Sequence, residues 1–386
     1  MMSDHHEMLY PVLEAVDANS YFVPIGDHTS LHKAWLLENQ FLLDLYMEES
    51  KLTSQQKKKA QNLLTIVNDA YSLFLSEATN PTWQRMSLEQ RKEKVNRIKN
   101  LPQIEQRTQA WYENYRSVLT ASEFSSLFSS AKKRRDCIMS KAFPPSIEEK
   151  TFRLACPTSE ISAIGWGIRF ENVVKQILEL KDQSIIYESG RLIHPTNPRL
   201  AASPDGIVET SPHKEKVGRL VEIKCPYSRA IGGEIPFEYW IQMQIQMEVC
   251  DLDECEYIEV EIHSMRPGKE YVDMSGNKIK GNLYVCKQIV EEDQPFDYKY
   301  AYGAIGSTNL PESVPQGYSI VETVPWSMTK WHRKVVHRDR EWFEATKPWQ
   351  DAFWADVERA KKGEPLSFNV PASKPKQTQC LITEDL

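Results

Sequence analysis

The sequence predicts an α+β fold: helices lead into a short-stranded sheet, a further helix interrupts that sheet, and helical extensions stand at both ends. Three observations predict it. Apolar residues recur at helical spacing through the first hundred residues. From about residue 185 the period shortens to that of strands. Phe237 to Val249 then returns to helical spacing between two strand-like stretches, so helices lie before and inside the sheet.

Each element has a local reason. Leu36, Leu37, Phe41, Leu42 and Leu45 share one helical face, as do Leu63, Leu64, Val67, Tyr71 and Phe74. Asn80-Pro81 punctuates the chain, and Ser87 to Asn100 reads as a charged helix ending near Pro102. Gly165 to Glu171 opens another helix, continued by Val174, Ile177 and Leu178, with Glu171 near its N-terminal turn. Ile185 to Tyr187, Leu192-Ile193, Leu200 to Val208 and Leu220 to Lys224 are short strands, the second and third separated by the turn cluster His194 to Pro198. Ile241, Ile245 and Val249 form the apolar stripe of the helix from Phe237. Glu256 to Ile262 alternates, with Ile258, Val260 and Ile262 on one face, and Leu283 to Ile289 is a further strand. The chain then reads as loop-rich to Pro325. Beyond it, Trp326, Trp331, Trp342, Trp349 and Trp354 mark a helical region in which Trp331, Val335 and Trp342 share a stripe. Pro348 fits a first helical position and Gly363 a helix stop. The expected organisation is a helical extension over 1–100, a core over 101–295, a Trp-rich helical region over 296–363 and a disordered polar tail over 364–386.

Composition narrows the classes. The chain has 386 residues, 41% hydrophobic and 26% charged, which excludes a disordered chain, a collagenous chain and a small disulfide scaffold. Its 47 basic and 54 acidic residues leave a formal charge of −7, which argues against a uniformly basic protein only. Seven cysteines include no Cys-x-x-Cys pair, so they read as free thiols in a reducing compartment. Met1 to Val16 carries no Lys or Arg and is neither a secretory signal nor a transit peptide. No apolar run approaches the ~18 residues of a membrane span. An intracellular protein, nuclear or cytoplasmic, with no membrane partner is expected. Lys132 to Arg135 reads as a nuclear signal or, more commonly, a solvated helix face.

The most informative stretch is Ser203-Pro204-Asp205-Gly206, followed by Val221-Glu222-Ile223-Lys224-Cys225-Pro226. Asp205 and Glu222 lie seventeen residues apart, separated by the turn residues Ser211, Pro212 and Gly218, and a hairpin would bring their carboxylates together. Glu222 and Lys224 are two apart, so on a strand they share a face. Two carboxylates on one face make a hard-oxygen site for Mg²⁺ or Mn²⁺. Lys224 beside them would orient or deprotonate a water, or offset charge on a pentacovalent phosphate. Taken alone, the pair fits a salt bridge at a sheet edge equally well. Its apolar neighbours Leu220, Val221 and Ile223 favour a site. Glu171 fits a third acid near metal or a helix-dipole partner. Tyr239, Gln242 and Gln246 share a helix face, which also fits a partly exposed amphipathic helix.

In this order the motifs resemble the lambda-exonuclease, or YqaJ-like viral recombinase, family of the PD-(D/E)xK nuclease superfamily. Gln106-Arg107-Thr108 with Trp111, then Arg116 and Leu119-Thr120-Ala121-Ser122, resemble its N-terminal motif. Gly167 to Glu171 resembles its acidic helix, Ala202 to Gly206 with Glu222 to Pro226 its metal-binding core, and Tyr239 to Gln244 its glutamine helix. The likeness covers residues 105 to 265. Arg338 to Phe343 is a weaker echo, and residues 1–100 have no counterpart. The resemblance implies a restriction-endonuclease-like core, a central mixed sheet flanked by helices. It implies that Asp205 and Glu222 bind divalent metal with Glu171 and the carbonyl of Ile223. Mg²⁺ is the implied cofactor, as two ions, with Mn²⁺ as substitute. Lys224 would position the water, Gln242 would orient Lys224, and Arg116 with Ser122 would hold a terminal 5′-phosphate, Arg107 competing with Arg116. The implied reaction is hydrolysis of duplex DNA from 5′ ends, releasing 5′-mononucleotides, in recombination, replication or repair. Implied partners are double-stranded DNA, a single-strand annealing protein and further copies of the chain. A structure-directed endonuclease of the same fold and a non-catalytic recombination scaffold are the competing readings.

Basic residues at Lys132 to Arg135 and at Lys330 to Arg340 are candidate phosphate contacts, although each alone reads better as a solvated face. The tail tryptophans read as core rather than as base-stacking platforms, and His194 and His263 as locally satisfied side chains.

Overall fold

The computed structural model describes residues 86–105, 108–144, 155–269, 271–273, 279–291, 294–366 and 382–384, with isolated residues 53, 54, 57 and 58. Two compact units divide the chain, Met1–Arg85 with Leu386 and Met86–Asp385, and everything below concerns the second. The helices expected before residue 80 and the candidate Arg107 lie outside the described residues.

The N-terminal part of this unit is helical, as expected. Helix α1 (Leu88–Asn100) starts at Ser87, whose hydroxyl accepts from the Gln90 amide while the Gln90 side chain accepts from the Ser87 amide. This helix belongs to the unit Met86–Asp385. Helix α2 (Gln109–Tyr115) leads to strand β1 (Leu119–Thr120), the short helix α3 (Ala121–Phe124), a 3₁₀ turn and helix α4 (Ala131–Ala142). Helix α5 runs from Ala163 to Asp182, capped by Ser162. Glu171 is therefore mid-helix rather than in the first turn, which removes the helix-dipole reading.

Strands follow as β2 (Ile185–Tyr187), β3 (Leu192–Ile193), β4 (Leu200–Ala202), β5 (Gly206–Thr210) and β6 (Leu220–Lys224). Ser203 to Asp205 breaks the single strand expected over 200–208 into two. Helix α6 (Phe237–Cys250) then crosses to β7 (Glu254–Ser264), which runs parallel to β6. Strands β8 (Lys280–Gln288), β9 (Tyr298–Tyr302) and β10 (Tyr318–His337) and helix α7 (Arg340–Lys361) complete the fold. The main sheet has the order β2-β5-β6-β7-β10-β8-β9, and a small second sheet the order β1-β4-β3. The observed fold is thus α+β, a mixed sheet flanked by helices.

The C-terminal part corrects the expectation. Residues 318–337 are one long strand between β7 and β8, not helix. Trp331 and Val335 are four apart, a spacing common to a helix turn and to two strand repeats, so periodicity alone misassigns them. Pro348 lies inside α7 rather than at its start, while Gly363, at φ +71°, does end it. Within the tail expected to be disordered, strand β11 (Ile382–Glu384) pairs antiparallel with β10.

Alternation along β6 sets the layers. Val221, Ile223 and Cys225 enter one apolar cluster with Trp166, Phe170, Val173 and Val174 of α5. Leu220 enters the other, built from α6 and α7 around Trp240, Trp342 and Phe353. The Trp342 ring lies 5.0 Å from Trp240 and 6.2 Å from Phe124. Trp326, Trp342, Trp349 and Trp354 are all buried, so these tail tryptophans are core, as expected.

The hairpin β5–β6 is clamped from outside. Arg91 of α1 donates to the carbonyls of Lys214, Glu215 and Val217 in its loop. Gly218 there has φ +83°, and a Cβ on it would stand 3.0 Å from the Arg91 Cβ. Gly218→Ala is therefore expected to destabilise the protein by about 1–3 kcal/mol through backbone strain and displacement of Arg91, measured by urea unfolding. An unchanged midpoint would refute that role for the clamp.

Candidate active site

The hairpin performs the task its spacing suggests. Gly206 pairs with Val221 and Ile207 with Leu220, in antiparallel register. That register places Asp205, just before β5, beside Ile223, whose amide donates to Asp205 Oδ2 at 2.7 Å. Because Val221 and Ile223 face α5, Glu222 and Lys224 face α6. The Lys224 ammonium pairs directly with Glu222 Oε1.

Three residues of α6 complete this wall. Lys224 Nζ donates to Gln242 Oε1 at 3.4 Å and lies 4.7 Å from the centre of the Tyr239 ring. Gln246 Nε2 donates to Glu222 Oε2 at 2.6 Å. Glu222 is 0% exposed, so both its oxygens are satisfied by protein groups, as a buried carboxylate requires. Gln246 and Tyr239 were missed as site residues. The signal was present, because both share the Gln242 face, but helical spacing does not distinguish a buried amide from an exposed one.

Electrostatics mark the cluster. Burial, then Glu222, then Glu171 push the Asp205 carboxyl well above the usual carboxylate range. Burial alone would lower the Lys224 ammonium, but Glu222 and Asp205 outweigh it and hold Lys224 above its ordinary value. Glu171 itself pairs with Lys175 at 3.1 Å, and Lys175 also reaches Glu188 at 2.8 Å. Among the described residues, no group of three His, Cys, Asp or Glu side chains is arranged to hold a metal ion. The donor chemistry nevertheless fits a divalent cation. Among the described residues Asp205 accepts one hydrogen bond, on one oxygen, and it is crowded by like charge that a cation would relieve.

The phosphate-holding candidates lie at the same end of the small sheet. Strands β1 and β4 are parallel, with Thr120 opposite Ala201, so the chain leaves β1 towards Ser122 as it leaves β4 towards Asp205. Arg116 and Ser122 are exposed, and the Arg116 guanidinium meets no carboxylate among the described residues. A buried network braces this segment. Glu123 Oε2 accepts from the Thr120 hydroxyl at 2.6 Å and from Lys141 Nζ at 2.8 Å, and Lys141 also donates to the Tyr115 carbonyl at 3.0 Å.

Two basic runs divide differently from expectation. In Lys132 to Arg135, three side chains are exposed on α4, but Arg134 is buried against Asp356 of α7 at 3.6 Å. In Lys330 to Arg340 most of the charge is spent inside the protein. Arg333 pairs with Asp182 and Glu256, Arg338 with Glu248 and Asp251, and Arg340 with Asp253. That stretch is not a free phosphate-binding patch.

Residues 110–253, from α2 to the start of β7, match the YqaJ-like viral recombinase domain. Asp205, Glu222, Lys224, Gln242 and Gln246 all fall within that YqaJ-like segment. Uncharacterized protein R354 of Acanthamoeba polyphaga mimivirus is 25% identical over 306 residues, which cover 68% of this chain and 54% of the relative. The chain thus spans about half the length of that curated relative. Among solved structures, an alkaline exonuclease (LHK-Exo) from Laribacter hongkongensis is similar at 18% identity and a TM-score of 0.37, over 66% of this chain and 95% of that one. A phage related exonuclease from Haemophilus somnus 129PT is similar at 15% identity and a TM-score of 0.30, over 64% and 92%. Among the described residues, no helix is long and apolar enough to cross a membrane.

Proposed function

We propose that the chain is a metal-dependent DNA exonuclease that hydrolyses duplex DNA from 5′ ends and releases 5′-mononucleotides, in recombination, replication or repair. The observation that carries this reading is the convergence of Asp205, Glu222 and Lys224. Asp205 stands just before one strand and Glu222 and Lys224 on its neighbour, inside the segment that matches the YqaJ-like domain, with Glu222 wholly buried and Asp205 under like-charge stress. A buried acid pair with a lysine has no evident use in a passive scaffold.

In this reading Asp205, Glu222, Glu171 and the Ile223 carbonyl would hold Mg²⁺, as one or two ions, with Mn²⁺ able to replace it. The bound metal would lower the pKa of a water and screen the phosphate charge. The protein's own groups do the rest. Lys224, held as an ammonium by Glu222 and steadied by Gln242 and the Tyr239 ring, donates hydrogen bonds. It orients a water and offsets charge on the pentacovalent phosphate rather than taking a proton. Arg116 and Ser122 receive the terminal 5′-phosphate, the guanidinium by a charge-assisted contact.

Digestion of 5′-phosphorylated and 5′-hydroxyl duplexes, each with and without chelator, tests this reading. The expected result is nucleotide release that needs metal and prefers the 5′-phosphate. Arg116→Ala should reduce that preference by about tenfold, a loss of roughly 1.4 kcal/mol, with little effect on the 5′-hydroxyl duplex. Cleavage that persists in chelator, or covalently closed circles cut as fast as linear duplex, would count against it.

A further inference from the structure

Beyond the acid cluster stands a cation packed on two aromatic rings. Arg266 begins the turn after β7, and its guanidinium lies 4.4 Å from the centre of the Tyr227 ring and 4.8 Å from that of Trp166. The two rings meet edge to face, with centroids 5.3 Å apart and planes at 89°. Trp166 is fully buried in α5, while Arg266 and Tyr227 are half-buried. Arg219, Arg333 and Arg338 each meet carboxylates, and Arg169, Arg191 and Arg199 each lie over a single ring. Arg266 meets rings, and its guanidinium forms no ion pair or hydrogen bond with the described residues.

We propose that Arg266 is a DNA-strand phosphate contact, pre-positioned by Tyr227 and Trp166 beside the candidate active site. A guanidinium stacked on aromatic faces gains cation–π attraction while its in-plane N–H groups stay available, which suits two-pronged binding of phosphate oxygens. Its two rings come from segments that adjoin the acids in sequence, on the α5 face of the sheet from which Glu171 also comes. Tyr227 follows Lys224 by three residues, at most about 10 Å of extended chain. Trp166 precedes Glu171 by five residues on the same helix, about 7.5 Å along its axis. Between them the helix surface is open. A Cβ on Gly167 would meet nothing within 4 Å, and Ile164 is 66% exposed. A strand whose scissile phosphate sat at Lys224 would therefore present a neighbouring phosphate, a nucleotide or two away, to Arg266. The rings hold the long side chain in place before DNA arrives, so less conformational entropy is lost on binding.

This inference rests on the nuclease reading and is tested in the full chain, in an Asp205→Asn background that does not cleave. Binding of a labelled 5′-phosphorylated duplex is measured by anisotropy across a salt series. Arg266→Gln keeps much of the packing on the rings and removes the charge. It is expected to weaken binding roughly tenfold and to lower the slope of log K against log salt by about 1. Arg266→Lys should retain the slope and lose only part of the affinity. An Arg266→Gln protein with unchanged affinity and slope overturns the proposal, as does lost affinity at unchanged slope, which marks a packing defect alone. If the Arg266-intact protein binds no duplex at any salt, the nuclease reading falls as well, which separates the two failures.

Discussion

Asp205→Asn is expected to reduce DNA hydrolysis by about 10²–10³-fold or more and, in the metal-free protein, to raise thermal stability. The two effects have one cause. Asp205 stands where burial and the carboxylates of Glu222 and Glu171 all oppose its ionisation. Ionising it therefore costs the metal-free fold free energy. Asparagine keeps an oxygen to accept the Ile223 amide and removes the charge, so the variant should melt at a higher temperature in chelator. The measurement is a pair, nuclease rate with Mg²⁺ and melting temperature in chelator. Full activity would sink the site assignment. A lower melting temperature would show that the carboxylates are not in conflict. Sites that hold strained charge for function are expected to trade stability in this direction.

Gln246→Leu is the second large effect. Gln246 is wholly buried and supplies the donor to Glu222 Oε2. Removing that donor leaves half of a buried carboxylate unsatisfied, a cost of about 1–3 kcal/mol. It also frees Glu222 to turn, which misplaces Lys224 and should weaken Mn²⁺ binding measured by calorimetry. Gln246→Glu should be worse, since it sets two buried carboxylates against each other. The control is Gln244, two residues away on the opposite side of α6. Gln244 donates to the His337 carbonyl at 2.8 Å and accepts from the Asp339 amide at 2.7 Å, tying α6 to the end of β10. Gln244→Leu should lower the melting temperature without changing Mn²⁺ affinity. If both variants lost stability and Mn²⁺ affinity alike, Gln246 would have no special part in holding Glu222.

Three glutamines in one helix therefore have three different tasks. Gln242 steadies Lys224, Gln244 joins the C-terminal elements to the core, and Gln246 satisfies Glu222. The one-dimensional pattern groups Gln242 with Gln246 by helical spacing but does not say which faces a carboxylate. Only the register of β6 against β7 and the placement of α6 over the Glu222 face decide that.

The acid pair was legible in the sequence because hairpin spacing and strand alternation are local properties of backbone geometry. A carboxylate just before one strand and another inside the next, separated by turn residues, must come close if the hairpin forms. Glycine, proline and the strand period also placed the central elements, apart from the break at Ser203 to Asp205. The long β10 was not legible, because a tryptophan and a valine four apart satisfy helix and strand equally, and its strand identity comes from the two neighbours that pair with it. The same cause hid the fate of the basic stretch. Arg333, Arg338 and Arg340 look free for phosphate along the chain, yet their counter-charges Asp182, Glu256, Glu248 and Asp253 come from elements far away in sequence. By itself the sequence determined that the acid pair and its lysine would meet, through local periodicity and spacing. The tertiary structure decided which charges remain available to a ligand, because charge pairing and burial are set by residues that meet only in the folded chain.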